Sequence, residues 1–228
     1  MELFSNFISN FDAGQMVLLL ISVAASVLCV TVHELCHGFA AWLLGDDTAR
    51  AAGRLTLNPL AHIDPVGLLM LVVAKVGWAK PVPVNVYRFR QPKRDMALTA
   101  LAGPVSNMLL AVLAMGISTL IYRLLDGPVW AYVMFFLCYV SVLSVGLALF
   151  NLIPIPPLDG SKLLASMLPD AVYSRYMRME RYLMIVVIAL AWFGFFSGPL
   201  GYGISTAIRL LCGLFDFPFS YFIYSFGL

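Results

Sequence analysis

The chain has 228 residues, 61% of them hydrophobic and 11% charged, with a mean hydropathy of +0.91. These values exclude a soluble globular domain and leave a polytopic membrane protein, short enough to be one domain over 1–228. A dispersed net charge of +2 argues against nucleic acid as a partner, and four cysteines without a Cys-x-x-Cys pair argue against a disulfide framework or a thiolate zinc site.

Residues 1–13 lack the positive start and the small-residue cleavage site of a secretory signal, and read as a short tail. The first apolar run, about Gly14 to Leu44, exceeds the ~20 residues that cross a bilayer, so it must tilt or project. Gly45-Asp46-Asp47 ends it. Inside this run lies His33-Glu34-Leu35-Cys36-His37. On a helix, His33 and His37 stack on one face and can hold one zinc ion. Glu34 lies about 100° round from His33 and about 60° from His37, placed to take a proton from water at the metal. No charge occurs in Met16–Val32 or Gly38–Leu44. A glutamate at that depth costs roughly 2.5–3.5 kcal/mol to insert, so function explains it better than a solvated face or polar glue between helices.

Arg54-Leu55-Thr56-Leu57 alternates like a short strand, and Asn58-Pro59 signals a turn. Val66–Val76 is too short to span and suits a re-entrant or shallow helix. Trp78–Asn85 cannot be helical, because Pro81 and Pro83 lack donors and restrict their predecessors. A second span is expected over about Met96–Leu125 and a third over about Val129–Leu152. The chain then breaks at Pro154–Gly160, ahead of a short helix over Ser161–Leu168. Tyr182–Ser197 and Leu200–Phe215 form either one span plus a surface helix or two short spans. Segments 46–95 and 153–181 hold twelve of the fourteen Lys and Arg. Both should therefore be cytoplasmic, with the N-terminus outside. The motif and Asp159 then approach the same side of the membrane.

A catalytic zinc keeps three protein ligands and one open position. The third candidates are Asp159, His62, Asp64 and the acidic residues of the basic flanks. Asp159 is preferred: it follows a span directly, on proline-broken backbone of the kind tolerated at membrane depth only where protein buries it or it lines a cavity. The competing role for Asp159 is to cap the 161–168 helix. His62 and Asp64 sit among turn prolines and suit packing or a hydrogen bond to a ligand. Intramembrane His, Glu and Asp also fit a divalent-metal transporter, or an inactive scaffold. No inverted repeat is visible, and the polar residues cluster at one depth.

His33–His37, followed far downstream by Asn151-Leu152-Ile153-Pro154-Ile155-Pro156-Pro157-Leu158-Asp159-Gly160, resembles the site-2 protease family of intramembrane zinc metalloproteases. Ala102-Gly103-Pro104-Val105-Ser106-Asn107 is similar to that family's pattern on the intervening span. The resemblance covers roughly residues 15–165. It implies an all-α membrane protein with a three-helix catalytic core, at about 14–168. A re-entrant or short β segment and one or two C-terminal membrane helices, at about 180–215, complete the expected fold. It also implies one Zn2+ per chain held by His33, His37 and Asp159, with Glu34 as general acid/base. Asn151 would contact the scissile carbonyl or its oxyanion. Asn107 either lines the same cleft or tightens helix packing. Trp78–Asn85 resembles a membrane-dipping segment that guides substrate. The implied activity is hydrolysis of membrane-spanning protein substrates in regulated intramembrane proteolysis. No PDZ or CBS-like domain is evident. Small size and this simplicity suggest a bacterial cytoplasmic membrane with the site facing the cytoplasm.

Overall fold

The computed structural model describes residues 13–67, 80–169, 172 and 180–228. The tail and most of the expected re-entrant segment (68–76) lie outside them. All the regular elements described are helical.

Helix α1, Ala13–Leu43, carries the His-Glu motif within its last third. At 1.5 Å per residue its 31 residues reach about 46 Å, well beyond a hydrocarbon core of about 30 Å. Gly45 stops it with φ +105°, a conformation that a side chain would oppose. The Asp46 N–H then returns to the Ala41 carbonyl at 2.9 Å. Short helix α2, Thr48–Ala51, follows.

The strand expected over 54–57 does not form; these residues make a bend and pack against their neighbours individually. Arg54 N–H bonds the Ala49 carbonyl, its guanidinium donates to Lys80 O, and the Thr56 carbonyl meets the His62 ring. Two backbone groups a ladder could use, the Arg54 N–H and the Thr56 carbonyl, are already engaged. Residues 80–85 are extended, as the prolines require, and a single 3-10 turn covers Val86–Arg88.

Helix α3, Pro92–Leu124, starts four residues earlier than expected. Proline suits the first helical turn, where its missing N–H would lack a partner anyway, and the Asp95 carboxylate accepts from Gln91 N–H at 2.9 Å. Helix α4, Pro128–Asn151, likewise opens on proline. Helices α1, α3 and α4 are each long and apolar enough to cross a membrane. α3 packs on both of the others. Fully buried Ala25, Ala111, Ala114 and Ala148 let these helices approach closely. Polar contacts also tie them, among them Ser141 Oγ to the Ala111 carbonyl at 3.2 Å and Cys29 Sγ to Ser144 Oγ at 3.2 Å. Leu109, Leu113 and Leu120 point outward, which suits lipid rather than water.

After α4 the proline-rich loop 152–158 folds back and α5, Asp159–Ser166, begins at Asp159 itself. Helices α6, Glu180–Trp192, and α7, Ser197–Phe215, meet at 77°, so they form a broken span or a re-entrant pair rather than two parallel crossings. Gly194 sits in the break at φ +73°, and among the described residues nothing lies within 4 Å of a Cβ built on Gly198, so Gly194-x-x-x-Gly198 packs on no described helix. α7 packs on α4 and α3. Ile208, Leu211 and Cys212 close the core with Met115 and Phe222, the last from α8, Ser220–Phe226. All four cysteines are free.

Candidate metal centre

One turn of α1 places His33 and His37 side by side, their Nε2 atoms 3.0 Å apart. Asp159, 126 residues beyond His33, brings Oδ2 to 3.2 Å from His33 Nε2 and 3.0 Å from His37 Nε2. All three side chains are buried. They are the group of donors among the described residues that can hold a metal ion, with ligand atoms within 4.8 Å of one another. Donors bound to one tetrahedral zinc at about 2.0–2.1 Å lie roughly 3.3 Å apart, so these separations fit the ion. Two imidazoles and a carboxylate are also zinc's preferred chemistry.

Asp159 is the first residue of α5 and makes no capping bond; Leu158 occupies the cap position. Its carboxylate points at the histidines instead. Burial pushes the Asp159 carboxyl up, but the His33 and His37 rings beside it and the charge of Lys162 outweigh it and hold the group well below the usual carboxylate range. Lys162 Nζ lies 3.4 Å from Oδ1, leaving Oδ2 for the histidine side.

Glycines make these approaches possible. A Cβ on Gly103 would fall 2.5 Å from His37 Nε2 and 2.6 Å from His33 Cε1, so α3 crosses α1 at the site only because no side chain intervenes. A Cβ on Gly160 would fall 2.2 Å from the Leu152 carbonyl oxygen. That contact folds the loop tightly enough to turn Asp159 inward.

Around these donors the backbone does much of the holding. His37 Nδ1 meets the Thr99 carbonyl at 2.7 Å; its N–H donating there leaves Nε2 free for a metal. Glu34 Oε2 accepts from Val82 N–H at 2.9 Å, so the extended 80–85 segment lies against the motif. Buried Asp46 anchors that segment, accepting from Asn85 N–H at 2.6 Å. Bare Gly38 makes room for Val82 and Leu55 beside α1.

The remaining candidates are placed as follows. Asn107 is fully buried with Nδ2 3.3 Å from His33 Nδ1. Asn151 ends α4, and its Nδ2 donates to the Leu147 carbonyl at 2.9 Å, back along its own helix. His62 is buried with Nε2 on Thr56 O, and Asp64 Oδ1 accepts from Val66 and Gly67 N–H; neither joins the metal group. Sequence reasoning missed Lys162, Thr99 and Val82. Lys162 had a signal, lying three residues after Asp159 on the same helix face. Thr99 and Val82 act through main-chain atoms and had none.

A membrane bundle with a buried His-His-Asp group that could hold a metal ion, and a glutamate in the same motif, has the features of a membrane-embedded zinc metalloprotease. The model of peptidase family M50 matches residues 121–194. The chain is 38% identical over 183 residues to YwhC of Bacillus subtilis, named as a zinc metalloprotease, covering 78% of this chain and 81% of that one. It is 29% identical over 206 residues to Rip2 of Mycolicibacterium smegmatis, also named as a zinc metalloprotease, covering 82% and 78%. Rip2 of Mycobacterium tuberculosis is 33% identical over 142 residues, or 60% of this chain and 53% of that one. No solved structure matches. The chain belongs to peptidase family M50, the site-2 protease family, and is an integral membrane zinc metalloprotease.

Proposed function

We propose that this protease hydrolyses peptide bonds of membrane-spanning proteins, in regulated intramembrane proteolysis. The observation that carries the reading is the convergence of His33, His37 and Asp159 within a bundle of membrane-spanning helices. His33 and His37 Nε2 and Asp159 Oδ2 are assigned as the ligands of one zinc ion. Zinc supplies Lewis acidity there, acidifying water and polarising a carbonyl.

The chain's own residues do the rest. Glu34 is held at Oε2 by Val82, so Oε1 remains to take a proton from the attacking water. The water oxygen bonds the carbonyl carbon, the C–N bond breaks, and Glu34 returns its proton to the leaving nitrogen. Asn151 spends one amide hydrogen on Leu147 and keeps a second, which we assign to the substrate carbonyl. The charge asymmetry of the loops supports a cytoplasmic-facing site in a bacterial cytoplasmic membrane.

A helical substrate hides its scissile amide in backbone hydrogen bonds and must unwind before it is cut. A Gly in place of Ala lowers that cost by about 1 kcal/mol. The test is cleavage of single-span peptides in proteoliposomes, with products mapped by mass spectrometry. Cuts inside the span, accelerated severalfold by Gly near the cut, are expected. Cuts confined to water-exposed flanks, or to unfolded soluble proteins, would overturn the proposal.

A further inference from the structure

We infer that Asn107 is a positioning residue for His33: its side-chain oxygen accepts the Nδ1 proton and fixes the tautomer that presents Nε2 to the metal. The inference rests on the ligand assignment proposed above. It assigns Asn107 to the far side of the imidazole from the reacting atoms, rather than to the substrate.

A neutral imidazole carries one N–H. If His33 Nε2 is to offer a lone pair, the proton sits on Nδ1 and needs an acceptor, because the ring is buried. The Asn107 amide, 3.3 Å away, meets Nδ1. With Nδ2 turned toward the ring, Nδ1 would have to accept and the proton would move to Nε2, blocking the ligand atom. The same orientation leaves Asn107 Oδ1 buried without a hydrogen-bond partner among the described residues. The two ends of an amide are alike in shape, so the hydrogen-bond network decides which of them faces the ring. Turning the amide by 180° places Oδ1 on the Nδ1 proton and satisfies both the ring and the oxygen. The NH2 then takes the position Oδ1 had, where no hydrogen-bond partner stands among the described residues.

The placement has a counterpart across the site. His37 Nδ1 is held by the Thr99 carbonyl, from the same helix α3 and two turns N-terminal of Asn107. Thr99, Gly103 and Asn107 recur every four residues, so they share one face of α3. That face supplies an acceptor to each histidine, with bare Gly103 between them where the rings pass. One acceptor is main chain and cannot be removed by substitution. The other is Asn107, and it can.

The experiment uses full-length zinc-loaded protein labelled with [15N]histidine, together with zinc affinity by chelator competition. In wild type, His33 should show a slowly exchanging Nδ1–H. In Asn107→Leu, close in size but without an acceptor, that proton should exchange rapidly and zinc should bind 10–100-fold more weakly. Asn107→Asp, which restores an acceptor, should return slow exchange and bring affinity back to within a few-fold of wild type. A residue that only packs helices predicts the reverse order, with the buried charge of Asp worse than Leu. That order, an unchanged zinc affinity in Asn107→Leu, or a wild-type His33 without a proton on Nδ1 would overturn the inference. The wild-type spectrum decides even if the variants do not fold. Failure of the ligand assignment looks different: zinc would survive His33→Ala.

Discussion

At the scale of single residues, the site depends on absent side chains as much as on present ones. Gly103 is the sharpest case, because a Cβ would lie 2.5 Å from His37 Nε2. Gly103→Ala should push the imidazoles out of register and lower zinc affinity at least tenfold, while the bundle stays assembled. Chelator competition on the purified variant measures this; wild-type affinity would contradict it. Gly160→Ala meets backbone, not side chain, at Leu152. The loop must shift, taking Asp159 with it, and loss of zinc should accompany a lower melting temperature. The pairing of His33 with His37 was legible in the sequence because a spacing of four on a helix is a statement about one face. The approach of Asp159 to them was legible because few residues could complete a metal-binding set. Thr99 and Val82 were not, since every residue carries a carbonyl and nearly every one an N–H. Their use depends on where α3 and the 80–85 segment pass, and residue type does not encode that.

At the scale of elements, the three spans follow from apolar length, and their ends from proline and glycine. The strand expected at 54–57 failed for a physical reason. Four alternating residues specify a pleat only if a partner offers its backbone, and Arg54 and Thr56 are engaged by Lys80, Ala49 and His62 instead. The helix after the proline loop began two residues early, which moved Asp159 from a capping role into the helix and toward the histidines. The 80–85 segment is the element most open to test. It is pinned by Arg54 at Lys80 and by Asp46 at Asn85, with Glu34 held between at Val82. Removing the buried Asp46 carboxylate leaves the Asn85 N–H without its acceptor, a cost of about 1–3 kcal/mol. Asp46→Ala should therefore speed amide exchange at Val82 and Asn85 by one to two orders of magnitude, leaving the middle of α1 protected. Unchanged exchange in the segment would show that Asp46 does not anchor it.

For the whole molecule, a membrane explains an exterior that water would not tolerate, with leucines along the outer face of α3 and a broken helix pair at the C-terminus. The site lies near the end of the bundle where α1 finishes and α4 gives way to α5. The basic loops belong to that same end, which supports the proposed cytoplasmic orientation. In a cysteine-free background, Gly53→Cys should react with a membrane-impermeant thiol reagent only in inverted vesicles, and Asp126→Cys only in right-side-out cells. The opposite pattern would reverse the orientation without touching the chemistry.

The central claim is that zinc held by His33, His37 and Asp159 and a proton carried by Glu34 together cleave the peptide bond. Its most direct test is Glu34→Gln, with zinc content and peptide cleavage measured on the same preparation. The account predicts one zinc per chain, as in wild type, and a cleavage rate lower by about 10²–10⁴-fold. Cleavage near the wild-type rate by Glu34→Gln, or by wild type stripped of zinc, would contradict it.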